Sequence, residues 1–363
     1  MEEFLVDELC RLVAIPSVSG EEGQVLGYLE DFIAGLGIPA LRQRVENQWY
    51  NILVNHRKGN CLILSAHVDT VPPLDGFPPQ PLVEEEAVWG LGACDDKAGV
   101  AILMGLLVRF AGELERLPVT FAFLVDEEDQ GKGSETLAKE ELPPWGIVLE
   151  PTDLKICSCE AGSLEVEFTT LGKMAHGSEV EAGENAIEKA IKMINLLKDL
   201  HFLGEEDPRL GKSLMNILLF SGGDGTLRIP HLCRVLLDFR ILPHQNIEEA
   251  AAEIVQTLER ENVDYTFRDV SLPFQIDPNS WIVEALAQAL EETTELKASL
   301  GGMKSWTDAA HLLEGGTQPV IFGPGHLPTC HTPQEKVDIK ELTLAYKTLE
   351  RLLEKIIEGD VPS

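Results

Sequence analysis

The hydrophobic pattern of the first half of the chain predicts alternating helices and strands. Leu5, Leu9 and Leu12 recur at the spacing of one helical face, and this helix should end before Pro16. A second helix is predicted over residues 22–35 and an apolar, buried one over 98–110, while short apolar runs predict strands at residues 51–55, 62–66, 119–125 and 146–149. Strands that alternate with helices indicate an α/β domain with a mostly parallel sheet and helices on both faces.

The pattern changes near residue 163. Residues 163–275 follow the order strand, helix, strand, strand, helix, strand, which is the order of a ferredoxin-like α+β unit. The first pattern resumes with a helix from Trp281, a strand over residues 319–322 and a final amphipathic helix from Asp338. We therefore predict that residues 1–162 and 276–363 form one α/β domain and that residues 163–275 are inserted in it.

The charge of the chain excludes several classes of partner. Its 363 residues include 29 Lys and Arg against 61 Asp and Glu, a formal net charge of −32. Such a chain repels nucleic acid and anionic membrane surfaces. The longest uncharged apolar run, residues 98–108, is too short to cross a bilayer, and no secretory signal precedes it. Seven cysteines without a framework spacing are typical of the reducing cytosol, so we expect a cytoplasmic protein that binds neither nucleic acid nor membrane.

Histidine and acidic residues gather in five short segments. These are SAHVDT at residues 65–70, GACDDK at 92–97, VDEE at 125–128, LEPT at 149–152 and CHTP at 330–333. The first four are expected to follow apolar strands directly and so to lie at one edge of the sheet, where ligands of α/β proteins bind. Imidazole together with carboxylates suits zinc, manganese or cobalt. Two histidines and three carboxylates are sufficient for two divalent cations about 3.5–4 Å apart.

Read in order, longer versions of these segments resemble the motifs of a known enzyme family. SAHVDTVP, GLGACDDKAG, VDEE, LEPT and FGPGHLPTCHTPQE are similar to the motifs of the dinuclear metallo-amidohydrolases that include acetylornithine deacetylase, succinyl-diaminopimelate desuccinylase and carboxypeptidase G. The resemblance spans nearly the whole chain. It implies that residues 1–162 and 276–363 form the metal-binding catalytic domain, that residues 163–275 form a lid or dimerisation domain, and that the protein is a homodimer through this lid.

The same resemblance implies the metal ligands. His67 and Glu150 would hold one cation, Glu128 and His331 the other, and Asp95 would bridge the two. The implied cofactors are two divalent metal ions per chain, zinc first, with cobalt or manganese as alternatives.

Two more carboxylates receive catalytic roles from the resemblance. Asp69 would orient His67, and on an extended segment side chains two residues apart can project to the same side. Glu127 would act as the general base. Since the neighbouring carboxylates of Glu127 and Glu128 can diverge, one can bind metal while the other moves a proton from water to the leaving amine.

The inserted domain supplies two further candidates. GKMAHGS at residues 172–178 is similar to the family's G-x-x-A-H motif, which implies that His176 stabilises an oxyanion across the dimer. Arg240 in DFR resembles the lid arginine that binds a substrate carboxylate, for which a guanidinium fork is suited. The alternatives are that His176 is a surface histidine at a turn and that Arg240 faces solvent.

Two segments depart from the pattern of the related proteins. An asparagine that is common in relatives is missing before Pro230, and residues 303–307 are bulkier than usual. The pockets for the acyl group and the side chain of the substrate therefore stay unassigned.

Three functions remain open at this point. The first is hydrolysis of an amide bond beside a free carboxylate, as in deacylation of an N-acyl amino acid of the acetylornithine, acyl-lysine or succinyl-diaminopimelate type in amino-acid biosynthesis. The second is a di-, tri- or carboxypeptidase, because the DDKAG run is also similar to aminotripeptidases. The third, an inactive metal-binding homologue, is disfavoured by the presence of all five ligands and of Glu127. The expected partner is a small N-acyl amino acid or a short peptide.

Overall fold

The computed structural model describes residues 1–46, 49–78, 80–295 and 297–361. The chain divides into two compact units. The first contains residues 1–158, 276–301 and 307–363, and the second contains residues 159–275 and 302–306. The catalytic and lid functions predicted for the two domains stay predictions.

The helices and strands of the described residues alternate as follows. The α-helices are α1 (Glu2–Ala14), α2 (Gly23–Gly35), α3 (Lys97–Phe110), α4 (Lys132–Leu137), α5 (Ala186–Lys198), α6 (Ile247–Arg260), α7 (Trp281–Thr293), α8 (Ala309–Glu314) and α9 (Ile339–Glu358). The strands are β1 (Ala40–Arg44), β2 (Tyr50–Val54), β3 (Leu62–His67), β4 (Leu82–Glu84), β5 (Ala87–Trp89), β6 (Val119–Leu124), β7 (Trp145–Val148), β8 (Ile156–Glu160), β9 (Gly162–Leu171), β10 (Glu206–Asp207), β11 (Gly211–Lys212), β12 (Leu214–Gly222), β13 (Leu232–Ile241), β14 (Asp264–Ser271), β15 (Phe274–Gln275), β16 (Leu300–Met303), β17 (Gln318–Ile321) and β18 (Lys336–Asp338). Single 3₁₀ turns occur at Val180–Ala182, His201–Gly204 and Leu327–Thr329.

The first unit is built on a sheet with the strand order β1-β2-β6-β3-β7-β17, which β8 continues. The four strands β6, β3, β7 and β17 run parallel, and the flanking strands are antiparallel. Every residue of β3 and β6 is buried, which is why both strands read as continuous apolar runs. Helices α3, α7 and α8 pack on the sheet. The carboxyl ends of β6, β3 and β7 therefore meet at one edge.

The first unit also contains a small sheet that the hydrophobic pattern did not predict. It has three antiparallel strands in the order β18-β5-β4. All three residues of β4 are exposed, so this strand carries no periodic apolar signal.

The second unit contains an antiparallel sheet in the order β12-β13-β9-β14, joined by α5 and α6. The apolar faces of both helices and of the inner strands form one core around Phe168, Phe239 and Ile254. Each helix begins at an asparagine, Asn185 or Asn246, whose side chain accepts hydrogen bonds from the first free N–H groups. The predicted fold, a mostly parallel α/β domain with an inserted ferredoxin-like unit, is confirmed. None of the described helices is long and apolar enough to cross a membrane.

Candidate metal centre

Three neighbouring parallel strands deliver four of the predicted site residues to one edge of the sheet. His67 is the last residue of β3. Glu127 and Glu128 follow the end of β6 at Leu124, and Glu150 follows the end of β7 at Val148. Because β3 pairs in parallel with both β6 and β7, the side chains that follow these strands converge.

Asp95 reaches the same place by a different route. The expectation that its segment directly follows a strand of the same sheet is wrong, because the preceding strand, β5, belongs to the small three-stranded sheet. Asp95 lies instead in the turn before α3, and the peptide bond to Asp96 is cis. Asp96 immediately precedes α3 and caps it, with its carboxylate accepting a 3.1 Å hydrogen bond from the N–H group of Gly99. The start of this buried helix therefore sets the position of Asp95.

His331 comes from the loop between β17 and β18. It follows the 3₁₀ turn Leu327–Thr329 and has a φ of 61°, in the left-handed region. Its side chain is about half exposed, at 47%, whereas that of His67 is fully buried. The two histidines thus face the site from its buried and its open side.

The five predicted ligands form two groups that share Asp95. His67, Asp95 and Glu150 make one group and Asp95, Glu128 and His331 the other; within each group the candidate ligand atoms lie within 4.8 Å of one another. Asp95 Oδ1 is 3.0 Å from His67 Nε2, while Asp95 Oδ2 is 3.3 Å from His331 Nε2. One carboxylate thus offers a separate oxygen to each histidine. This is the arrangement that two cations with a common carboxylate require.

The chemistry of these residues fits divalent metal ions. His331 Nε2 is also 3.0 Å from Glu128 Oε1, and His67 Nε2 is 3.9 Å from Glu150 Oε1. The Oε1 atom of Glu150 is buried and has no hydrogen-bond partner among the described residues. Burying a carboxylate oxygen without a partner is costly, and a cation at this position would remove the cost. Imidazole nitrogen with carboxylate oxygen is a donor set of zinc, manganese and cobalt.

The pKa values of the cluster also indicate a need for positive charge. Burial raises the pKa of Glu150 and of Glu127 well above the usual range, and repulsion from Asp95 adds to both shifts. Hydrogen bonds to Asp95 and Glu128 raise the pKa of His331 to about 10. Burial alone would raise the pKa of Asp95, but hydrogen bonds from both histidines lower it below its usual value. Glu127 and Glu150 therefore resist ionisation unless a cation is close, whereas Asp95 ionises readily beside the two histidines.

Asp69 forms hydrogen bonds to the backbone of two predicted site residues. It is fully buried, and its Oδ1 and Oδ2 atoms accept hydrogen bonds from the backbone N–H groups of Glu127 (3.2 Å) and Glu128 (3.0 Å). Oδ2 also accepts a 2.7 Å hydrogen bond from the hydroxyl of Ser19. His67 Nδ1 lies 3.1 Å from the main-chain oxygen of Asp69 and 3.5 Å from its carboxylate. Asp69 thus contacts His67 and also holds the turn that carries Glu127.

The two candidates of the second unit have local partners. His176 is exposed, and its Nδ1 atom is 2.9 Å from Ser178 Oγ. Arg240 lies on β13 and donates from Nε to Asp238 Oδ2 over 3.0 Å. Their predicted roles toward a substrate stay predictions.

Sequence reasoning missed two residues that contact this cluster. Ser19 bonds to Asp69, and Glu335 accepts hydrogen bonds from the backbone N–H groups of Cys94 and Asp95. Glu335 ends the motif FGPGHLPTCHTPQE, so the motif itself was a signal. Ser19 carries no signal of spacing or periodicity.

The chain is similar in sequence to known proteins. A sequence model described as peptidase family M20/M25/M40 matches residues 63–355. The chain is 26% identical to a succinyl-diaminopimelate desuccinylase of Corynebacterium glutamicum over 94% of both chains. It is 25% identical to a probable carboxypeptidase of Aspergillus flavus over 94% of this chain and 88% of the relative.

Solved structures share the fold. A tripeptidase from Staphylococcus aureus superposes with a TM-score of 0.83 at 22% identity, over 99% of both chains. Human carnosine dipeptidase 1 superposes with a TM-score of 0.80 at 15% identity, over 98% of this chain and 96% of that one.

Proposed function

The chain belongs to peptidase family M20/M25/M40 and is a metal-dependent amidohydrolase, and on this premise we propose that it removes the acyl group of an N-acyl amino acid. The resemblance seen in its motifs is thereby confirmed. The sharing of Asp95 between the groups of His67 and His331 is the observation that carries the proposal, because it supports a two-cation centre for amide hydrolysis. The relative in Corynebacterium glutamicum, named as a desuccinylase, supports the acyl amino acid as substrate.

The proposed cofactors are two zinc ions per chain, with cobalt or manganese as alternatives. His67 and Glu150 would hold one ion, Glu128 and His331 the other, and Asp95 both. Bound there, such cations polarise the carbonyl of an amide and lower the pKa of water to about 7.

The protein's own residues would carry out the proton transfer. Glu127 takes the proton of the attacking water and delivers it to the leaving nitrogen. Burial and the neighbouring carboxylates raise its pKa, so the site opposes a further isolated negative charge. Asp69 keeps the backbone of Glu127 and Glu128 in place through its two hydrogen bonds. The proposed base, Glu127, and the adjacent proposed ligand, Glu128, are therefore both held by Asp69.

We further propose a homodimer formed through the second unit. Strand β12 lies at the edge of its sheet and exposes apolar side chains to between 38% and 52%; these are Leu214, Ile217, Leu218, Leu219 and Phe220. An apolar edge strand with unpaired backbone groups favours pairing, and a second copy can offer the same strand about a twofold axis. In this dimer His176 would stabilise the oxyanion in the partner's site, and Arg240 would bind the substrate carboxylate.

The proposed location is the cytoplasm. Its support is the set of seven cysteines without a framework spacing, which is typical of a reducing compartment. The net charge of −32 supports the absence of nucleic acid and anionic membranes among its partners.

A substrate panel tests the proposed reaction. The protein loaded with two equivalents of zinc or cobalt is assayed with N-acetylornithine, N-succinyl-diaminopimelate, N-acyl-lysine, and unblocked di- and tripeptides. We expect turnover of an N-acyl amino acid and none in the Glu127→Gln variant, which keeps the ligands. Turnover of unblocked peptides alone would instead establish the peptidase alternative. The relative named as a probable carboxypeptidase supports that alternative.

Mixed dimers test the role of His176. Subunits with His176→Ala and subunits with Glu127→Gln are each inactive if both residues are required. Mixing them should restore partial activity, because one site of each heterodimer then receives an intact histidine from its partner. No rescue in verified heterodimers would contradict the shared site.

A further inference from the structure

Glu335 is a buried acidic residue that lies beside the proposed ligands without belonging to either ligand group. Its side chain is 1% exposed. The Oε1 atom accepts two hydrogen bonds, from the backbone N–H groups of Cys94 (3.3 Å) and Asp95 (3.4 Å). One oxygen of Glu335 therefore contacts the backbone of the residue whose carboxylate lies between His67 and His331.

The main chain of Glu335 binds the same segment. Its carbonyl oxygen accepts a 3.2 Å hydrogen bond from the N–H group of Gly90, and its own N–H group donates to Thr332 over 2.9 Å. Glu335 also lies only four residues after His331. Glu335 thus contacts both the segment that carries His331 and the segment that leads to Asp95.

The burial of Glu335 is unfavourable for stability alone. Its Oε2 atom is buried without a hydrogen-bond partner among the described residues. The carboxylate is also close to that of Asp95, and like charges in a buried site repel. An apolar side chain of similar size would be cheaper to bury, but it could not accept the two N–H groups.

We propose that Glu335 is a positioning residue of the metal centre. Its Oε1 atom holds the turn at Asp95 so that one oxygen of this carboxylate faces His67 and the other faces His331, the two groups that would each hold a cation. The inference rests on the proposed role of Asp95 as the shared ligand.

Two conservative variants separate the effect of side-chain length from the effect of side-chain charge. Glu335→Gln keeps an acceptor oxygen at the same distance and removes the charge. Glu335→Asp keeps the charge and withdraws the carboxylate from the N–H groups by one methylene. Both preserve the polarity and nearly the size of the side chain, and Gln334→Ala, an exposed change on the same loop, is the matched control.

Binding of Co²⁺ to the metal-free protein provides the readout. We measure the number of ions bound, their affinities and the visible absorption spectrum of the bound cobalt. Glu335→Gln and Gln334→Ala should resemble the wild type in all three. Glu335→Asp should bind Co²⁺ at least about tenfold more weakly and change its spectrum, because misplaced supporting hydrogen bonds weaken metal sites by about 10–100-fold. In activity assays, its kcat should fall more than its KM rises.

Four results would overturn the proposal, the last of them by removing the metal centre on which it rests. Wild-type Co²⁺ binding and spectrum in Glu335→Asp would show that the reach of the side chain is unimportant. Weaker Co²⁺ binding in Glu335→Gln with normal binding in Glu335→Asp would show that the charge of Glu335 matters and its length does not. Equally weakened binding in both variants would show that an acceptor oxygen at the right distance is not sufficient. Failure of the wild type to bind two Co²⁺ ions would contradict the metal centre itself, and is read from the wild type before any variant.

Discussion

The carboxylate of Asp69 accepts a 3.0 Å hydrogen bond from the backbone N–H group of Glu128. This bond ties the residue that follows the end of β3 to the turn that follows β6. The proposed ligand Glu128 and its neighbour Glu127 are therefore held by a side chain that belongs to neither candidate ligand group.

Replacing Asp69 by Asn should damage the site without removing a ligand. The amide keeps one acceptor oxygen but places an NH₂ group opposite the backbone N–H group of either Glu127 or Glu128, so at least one of the two backbone hydrogen bonds is lost. We expect metal affinity to fall by about 10–100-fold, measured by titration with Co²⁺. Unchanged affinity together with unchanged kcat would show that Asp69 is dispensable.

Ser19→Ala provides a milder version of the same disturbance. It removes only the 2.7 Å hydrogen bond from the hydroxyl to Asp69 and leaves both backbone bonds. A hydrogen bond to a charged group contributes about 1.5–3 kcal/mol, so the free energy of unfolding should fall by about 2 kcal/mol in urea titrations. The loss of metal affinity should be smaller than in Asp69→Asn. Ser17→Ala, a change in the same segment, is the matched control.

Removal of metal should destabilise the first unit. Without a cation the buried Oε1 atom of Glu150 has no partner and the neighbouring carboxylates repel. Chelation should lower Tm, and two equivalents of zinc should restore it, as measured by differential scanning calorimetry. Glu150→Gln is the informative comparison. It should raise Tm of the metal-free protein near neutral pH, because glutamine removes the cost of keeping this buried carboxyl group protonated, while it weakens metal binding. A lower metal-free Tm in this variant would contradict the argument.

Acidification should release the metal. In the cation-free cluster the pKa of His331 is raised to about 10 by its carboxylate partners, so its imidazole carries a proton at pH 7. A cation binds only the neutral imidazole, and the proton must leave first. The affinity for Co²⁺ should therefore rise from pH 6 to pH 8. Calorimetry in buffers of different ionisation enthalpy should show proton release on binding, and His331→Ala should release fewer protons. Affinity independent of pH would refute this explanation.

The sequence by itself determined the elements and the order of the ligand segments. Apolar periodicity is local, so β3, β6, β7 and α3 could be predicted within a few residues. The parallel arrangement then brought the segments after β3, β6 and β7 to one edge, as expected.

Only the tertiary structure decided how the proposed ligands are supported. Asp95 arrives after the small sheet rather than from the central one, because β4 and β5 are too short and β4 too exposed to be recognised from their pattern. The hydrogen bond from Ser19 to Asp69 spans 50 residues, and that from Cys94 to Glu335 spans 241. Such contacts depend on how distant segments pack together. A pattern that reports on neighbours along the chain contains no information about them.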